Sequence, residues 1–281
     1  MKLLKKDWLV LGAWGAAAGV GALVCGVGLP GPWKVVGAVW LSGLALAALV
    51  MLAYRNLALH LYRLHEQNEE AQRRETRQTE ALMKTLLLVK PRRLLPPLRG
   101  MAISPDFAAL LVDTILAKKP RHIVELGCGA STIISSYVLE QLGEGGRVTS
   151  LDHDARFSEV CRGQLAEHGL ANIATIYDCP LREQQVGGKT WQYYDLSGAQ
   201  LPEEIDLLVI DGPPEWIAPG VRYPALPLLK ERLSARAVVL LDDAGREHEK
   251  ITVGRWLKEF AGWEHRFVEL EKGASLLTRV S

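Results

Sequence analysis

Acidic side chains closing short β-branched runs carry most of the chemistry available to this chain. The first run ends in Val124-Glu125-Leu126-Gly127-Cys128-Gly129-Ala130-Ser131-Thr132, and the second in Leu151-Asp152-His153-Asp154. The third closes on Asp178, the fourth on Ile210-Asp211-Gly212-Pro213-Pro214, and the fifth on Leu241-Asp242-Asp243-Ala244. Glycines at 127 and 129 let a turn bring its main chain close to a ligand. Ser131 or Thr132 then caps a helix whose free amides attract a carboxylate. Glu125, just before the turn, suits a cationic amine or a ligand-contacting water. Asp152, with His153 beside it, is suited to accept both hydroxyls of a sugar diol. Asp178 is placed to meet an aromatic amine. Asp211, Asp242 and Asp243 repel one another unless a proton or a cation sits among them.

These residues meet only if the runs align as a doubly wound sheet, whose strand ends converge on one crevice. From about residue 100, short apolar runs alternate with amphipathic helices, which predicts an α/β fold. Strands are expected at 123–126, 148–151, 173–177, 205–210 and 237–241. Ser104-Pro105-Asp106 supplies an N-cap and a first-turn proline for a helix to about 118. A second helix is read near 250–260, and a short excursion at 191–194. Two last runs, 265–269 and 275–280, flank Glu271-Lys272-Gly273 and predict an antiparallel hairpin at the sheet edge.

Upstream the composition is different. No charge falls between Trp8 and Trp33, then Lys34 stands alone, and none follows until Arg55. Each stretch reaches the roughly 20 apolar residues that a bilayer core needs. Leu29-Pro30-Gly31-Pro32 breaks the helix between them, so 1–54 reads as a transmembrane hairpin. Lys2, Lys5 and Lys6 before it, and Arg55 and Arg63 after it, place both termini and the C-terminal domain in the cytoplasm, on a bacterial inner membrane crossed twice. A signal peptide is the rival for the first run. Residues 55–99 turn polar and helix-favouring, a linker that is either a solvated connector or a short coiled coil joining copies of the chain. The C-terminal domain is expected over 100–281.

With 33 Lys and Arg against 32 Asp and Glu, the net charge of +1 gives no field to hold a nucleic acid. The 4 cysteines show no metal-ligand spacing. A dinucleotide fold would place a third glycine at 132, where threonine stands, and no Walker lysine follows the glycines.

The Glu-x-Gly-x-Gly turn, the acids after strands two and three, the seven strands and the terminal hairpin together resemble the class I S-adenosylmethionine (SAM)-dependent methyltransferases. Asp211-Gly-Pro-Pro214 and Asp242-Asp243 are similar to the bacterial small-molecule O-methyltransferases of the catechol and macrolide-sugar type. The resemblance implies a Rossmann-like, seven-stranded, mostly parallel sheet. It also implies SAM held by Glu125, Gly127, Gly129, Ser131, Thr132, Asp152, His153 and Asp178, with Asp178 near the adenine. By the same resemblance Asp211, Asp242 and Asp243 hold Mg2+; otherwise Asp243 caps the next helix and Asp211 alone contacts a ligand. The relatives' lysine base falls on Pro214, so the base is open between Asp211 and His248, at the start of a helix. Glu215, Trp216, Arg222 and Tyr223 should border the acceptor, Arg222 as a clamp for phosphate or carboxylate. The expected function is O-methylation of a membrane-associated small molecule, sugar or lipid-linked precursor. A nitrogen or protein acceptor, or a scaffold that binds cofactor without turnover, are the alternatives.

Overall fold

The structure, a computed structural model, describes residues 31–280. The chain divides into two units, Met1–Arg73 and Arg74–Ser281. The first expected transmembrane span lies outside the described residues.

Helix α1 (Gly31–Val89) is 59 residues long, starting in the first unit directly after Pro30 and ending in the second. Trp40, Met51 and Tyr54 are exposed, and an 18-residue window of α1 with mean hydropathy 2.4 is 0% buried. A helix apolar on every side needs apolar surroundings. By length and composition, α1 is able to cross a membrane.

In the second unit, the end of α1 is packed against the fold. Gln78, Thr85 and Val89 are buried, and Gln78 Nε2 donates to Asp106 Oδ2 at 2.6 Å. A polar stripe that reads as solvated is thus partly a packing face, because its glutamine and threonine find buried partners. The strap that follows is fastened by Arg92, which donates to Glu140 Oε2 at 2.6 Å and to the His168 carbonyl at 2.6 Å. Helix α2 (Pro105–Lys118) is capped by Ser104.

Seven strands form one sheet: β1 (His122–Leu126), β2 (Arg147–Asp152), β3 (Ala174–Asp178), β6 (Ile205–Ile210), β7 (Leu233–Leu241), β8 (Trp263–Val268) and β9 (Ala274–Arg279). Their spatial order is β3-β2-β1-β6-β7-β9-β8, parallel as far as β7 and antiparallel for the last two. Helices α3 (Ala130–Leu142), α4 (Ala155–Glu167), α5 (Ala225–Leu229) and α6 (Glu247–Glu259) complete the fold. The central strands β1 and β6 are buried on both faces, which explains their near-continuous apolar runs, whereas the edge strand β8 is largely exposed. Ile123, Val148, Leu207 and Val238 join one core, while their neighbours Val124, Leu208 and Val239 join the other. The winding reverses between β1 and β6, which opens the crevice at the carboxyl ends.

The excursion expected at 191–194 is one arm of a separate hairpin, β4 (Leu181–Val186) with β5 (Lys189–Tyr194). Gly187 and Gly188, at φ +58° and +75°, make its two-residue turn.

Candidate active site

At the carboxyl ends of β1, β2, β6 and β7 lies a cleft of about 1030 Å3, at the upper end of the roughly 300 to 1,000 Å3 of ligand pockets. One end is built on the glycine turn. Gly127 takes φ +102°, and a Cβ there would stand 3.3 Å from the Gly212 amide, so this position requires glycine. Asp152 closes β2 with both carboxylate oxygens engaged. The Cys128 amide donates to Oδ2 at 2.9 Å and the Asp154 amide to Oδ1 at 2.9 Å. Burial opposes the Asp152 charge, but the nearby His153 and these two amides outweigh it, holding the carboxyl below its ordinary range. Gly127, Gly129, Ser131, Asp152 and His153 all line the cleft.

Glu125 does not. It shares the Ile123 face of β1, is 0% exposed, and accepts from Thr132 Oγ1 at 2.6 Å and Ser135 Oγ at 3.1 Å. Thr132 Oγ1 in turn accepts from the Gly129 amide at 3.1 Å. Glu125 and Thr132 therefore brace the glycine turn from behind, where a ligand amine cannot reach. Burial pushes the Glu125 carboxyl up to about 7, against the pull of the two hydroxyls.

The other end is acidic. Oxygens of Asp211, Asp242 and Asp243 lie within 4.8 Å of one another. Arg222, 2% exposed, runs through them: it donates to the Asp242 carbonyl at 2.8 Å, to Asp243 Oδ2 at 2.9 Å and to the Asp211 carbonyl. Buried Glu249 lies 3.9 Å from the same guanidinium. Burial raises Asp211 above the usual carboxylate range despite Arg222, with Asp243 adding to the rise. Asp242 stands well above that range, through burial and then the charges of Asp211 and Asp243. Asp242 Oδ2 and Asp243 Oδ1 accept no hydrogen bond among the described residues. Lys272 Nζ lies 4.0 Å from that Asp243 oxygen and Arg246 3.0 Å from the other, so Asp242 Oδ2 is the oxygen of this all-oxygen set left most open to a hard divalent cation such as Mg2+.

Residues 124–244, from β1 to just past β7, match the family model of a methyltransferase domain. The seven-stranded sheet with its terminal antiparallel pair has the Rossmann-like fold of the class I methyltransferases. A methyltransferase of Podospora anserina bound to S-adenosylhomocysteine (SAH) is similar in structure, with TM-score 0.53 and 14% identity over 76% of this chain and 96% of that one. An O-methyltransferase of Bacillus cereus in complex with SAH aligns with TM-score 0.50 and 15% identity, over 71% of this chain and 90% of its own. A putative O-methyltransferase of Klebsiella pneumoniae gives TM-score 0.50 and 16% identity over 72% and 89%. No curated protein matches this chain.

Several residues of the methyltransferase domain sit elsewhere than their sequence positions suggest. His248 lies partly exposed in the first turn of α6 and off the cleft wall, and its neighbour Glu249 is the side chain turned inward. Asp178 closes β3 but is also off the wall, accepting from Arg162 Nη2 at 2.8 Å. Arg222 clamps carboxylates, but they are the protein's own. Tyr223 is buried and stacks on Trp191 with ring centroids 5.4 Å apart. Glu215 and Trp216 do line the cleft. Sequence reasoning missed Glu249 and Tyr194. Period-3.6 reading of α6 could have found Glu249, which shares its buried face with Thr252, Val253 and Trp256.

Proposed function

We propose that this chain is a membrane-anchored enzyme that transfers a methyl group from SAM to a hydroxyl oxygen of a membrane-associated small molecule, sugar or lipid precursor at the cytoplasmic face. The observation that carries this reading is the single cleft that the Gly127–Ser131 turn, Asp152 and Asp211 line together. The turn and the first amides of α3 receive the methionine carboxylate, and Asp152 receives the ribose hydroxyls. The acceptor enters beside Trp216 and Met101, two exposed apolar side chains on the cleft wall that suit an acceptor with an apolar part. The anchor is α1 with the apolar stretch before it, and Arg55 and Arg63 put the domain on the cytoplasmic side.

The acceptor oxygen attacks the methyl carbon in line with the carbon–sulfur bond. That bond breaks, its electron pair stays on sulfur, and SAH leaves. Asp211 borders the cleft, and its raised proton affinity suits it to take the hydroxyl proton. Most of the acceleration comes from holding both substrates aligned. A Mg2+ held by Asp211, Asp242 and Asp243 would instead supply charge that lowers the pKa of the acceptor hydroxyl, and Asp211 would then serve as a ligand and not as the proton acceptor.

Calorimetry on the full chain in phospholipid nanodiscs tests the cofactor half of this reading, and methyl-labelled SAM with a membrane-lipid extract tests the rest. SAM and SAH should both bind, and label should pass to the lipid-soluble fraction. Failure to take up either nucleoside removes the proposal, and uptake without transfer to any acceptor leaves a binding scaffold.

A further inference from the structure

One buried polar group in the cleft is used by neither the fold nor the mechanism above. Tyr194 closes β5 and is 0% exposed, and its side chain lies on the cleft wall. Its hydroxyl has no hydrogen-bond partner among the described residues. A buried phenol without a partner is unusual, because the lost hydration is not repaid.

The position of this hydroxyl is specific. A Cβ on Gly212 would overlap it, so the glycine after Asp211 makes the room it occupies. Gly212 in turn abuts Gly127, the first residue of the glycine turn. The Tyr194 ring meets His153 edge-on with centroids 6.3 Å apart, which places it beside the end of β2 as well. Burial first, and then the Asp152 charge, raise the phenol well above its ordinary range, so it stays neutral.

If Asp152 holds the ribose and the glycine turn holds the methionine tail, the sulfur joining those two parts lies between them, with its methyl directed at Asp211. The Tyr194 hydroxyl borders all three. We propose that Tyr194 Oη faces the sulfonium centre and its methyl group, and that this contact makes the cleft prefer the charged donor SAM over the neutral product SAH. The inference rests on the cofactor reading of the preceding subsection. A neutral oxygen serves here because sulfonium polarises its methyl hydrogens, making them weak donors of the C–H···O kind. The same preference helps the spent cofactor leave.

Tyr194→Phe keeps the ring and deletes only the oxygen. In calorimetry on the full chain in nanodiscs, its affinity for SAM should fall roughly two- to fivefold while its affinity for SAH stays unchanged. Tyr193→Phe removes a second partnerless buried hydroxyl, one off the cleft wall, and should move neither value. The thermal midpoint of Tyr194→Phe should hold or rise, since the deleted group has no partner to lose; a fall would mean a structural bond and overturn the inference. Equal weakening of both nucleosides, or no change in either, also overturns it while leaving the cofactor reading intact. A wild-type chain that binds neither nucleoside defeats the cofactor reading first.

Discussion

The two ends of the cleft hold carboxylates under opposite conditions. At the glycine turn, Asp152 is satisfied by two main-chain amides and held ionised. At the acidic cluster, Asp211 and Asp242 are pushed toward their protonated forms, and Asp242 and Asp243 each keep an oxygen that accepts no hydrogen bond among the described residues. Amides fixed by the fold prepare the first end for a ligand of constant shape. The second end gathers its carboxylates around buried Arg222, with Arg246 3.0 Å from Asp243 Oδ2 and Lys272 4.0 Å from Asp243 Oδ1, and Asp242 Oδ2 still accepts no hydrogen bond among the described residues. A site built this way is finished at one end and awaits a cation, a proton or a substrate at the other.

The largest effect should come from removing that arginine. Arg222→Met strips the buried cation from Asp211, Asp243 and Glu249 and should cost about 3 to 5 kcal/mol, read as a shift in the urea midpoint. A loss under about 1 kcal/mol would mean that the acids are already neutral and that the contrast between the ends is overstated.

Glu125 sharpens the contrast from behind the turn. Its folded pKa of about 7 lies above the ordinary 4.5, so between those values the folded chain keeps a proton that the unfolded chain has released. Stability should therefore fall as pH rises through that window, by on the order of 3 kcal/mol, and then level off. Glu125→Gln should remove its share of this slope when unfolding is followed from pH 4.5 to 8, leaving the part that the raised Asp211, Asp242 and Glu249 contribute with the same sign. An unchanged slope would place the titrating group elsewhere.

Asp152→Asn tests the finished end. The amide cannot accept from both the Cys128 and Asp154 amides, so SAM affinity by calorimetry should drop about ten- to a hundredfold, and the donor left without an acceptor should lower stability by about 1 to 3 kcal/mol. If stability falls and affinity does not, Asp152 serves the turn and not the ligand.

How much of this could be read from the chain depends on the range of the signal. The five parallel strands announce themselves by their apolar, mostly buried runs; β7 alone starts more than one residue earlier than expected, at Leu233, where Ser234 and Arg236 dilute the apolar run. Strand β4 carries Arg182, Glu183, Gln184 and Gln185 and shows no alternation, although Gly187-Gly188 marks its turn. Gly127 and Asp152 follow from the strand-end rule. Glu125 departs from it because alternation along β1 turns its side chain under α3, a face the motif alone does not reveal. Arg222 and Tyr194 reach the cleft from a loop and a hairpin whose paths depend on tertiary packing, and no local spacing predicts where such side chains end.

The strap between Arg92 and Ser104 has a consequence for how the protein can be cut. Pro96, Pro97, Met101 and Ile103 on it line the cleft, and Lys272 binds its Gly100 and Ala102 carbonyls at 2.9 Å. The stretch leading from the apolar helix to the sheet is therefore no loose leash but a side of the chamber itself. Trimming the chain back to the first strand would unroof the chamber, whereas beginning at Arg74, where the compact unit begins, keeps that side in place.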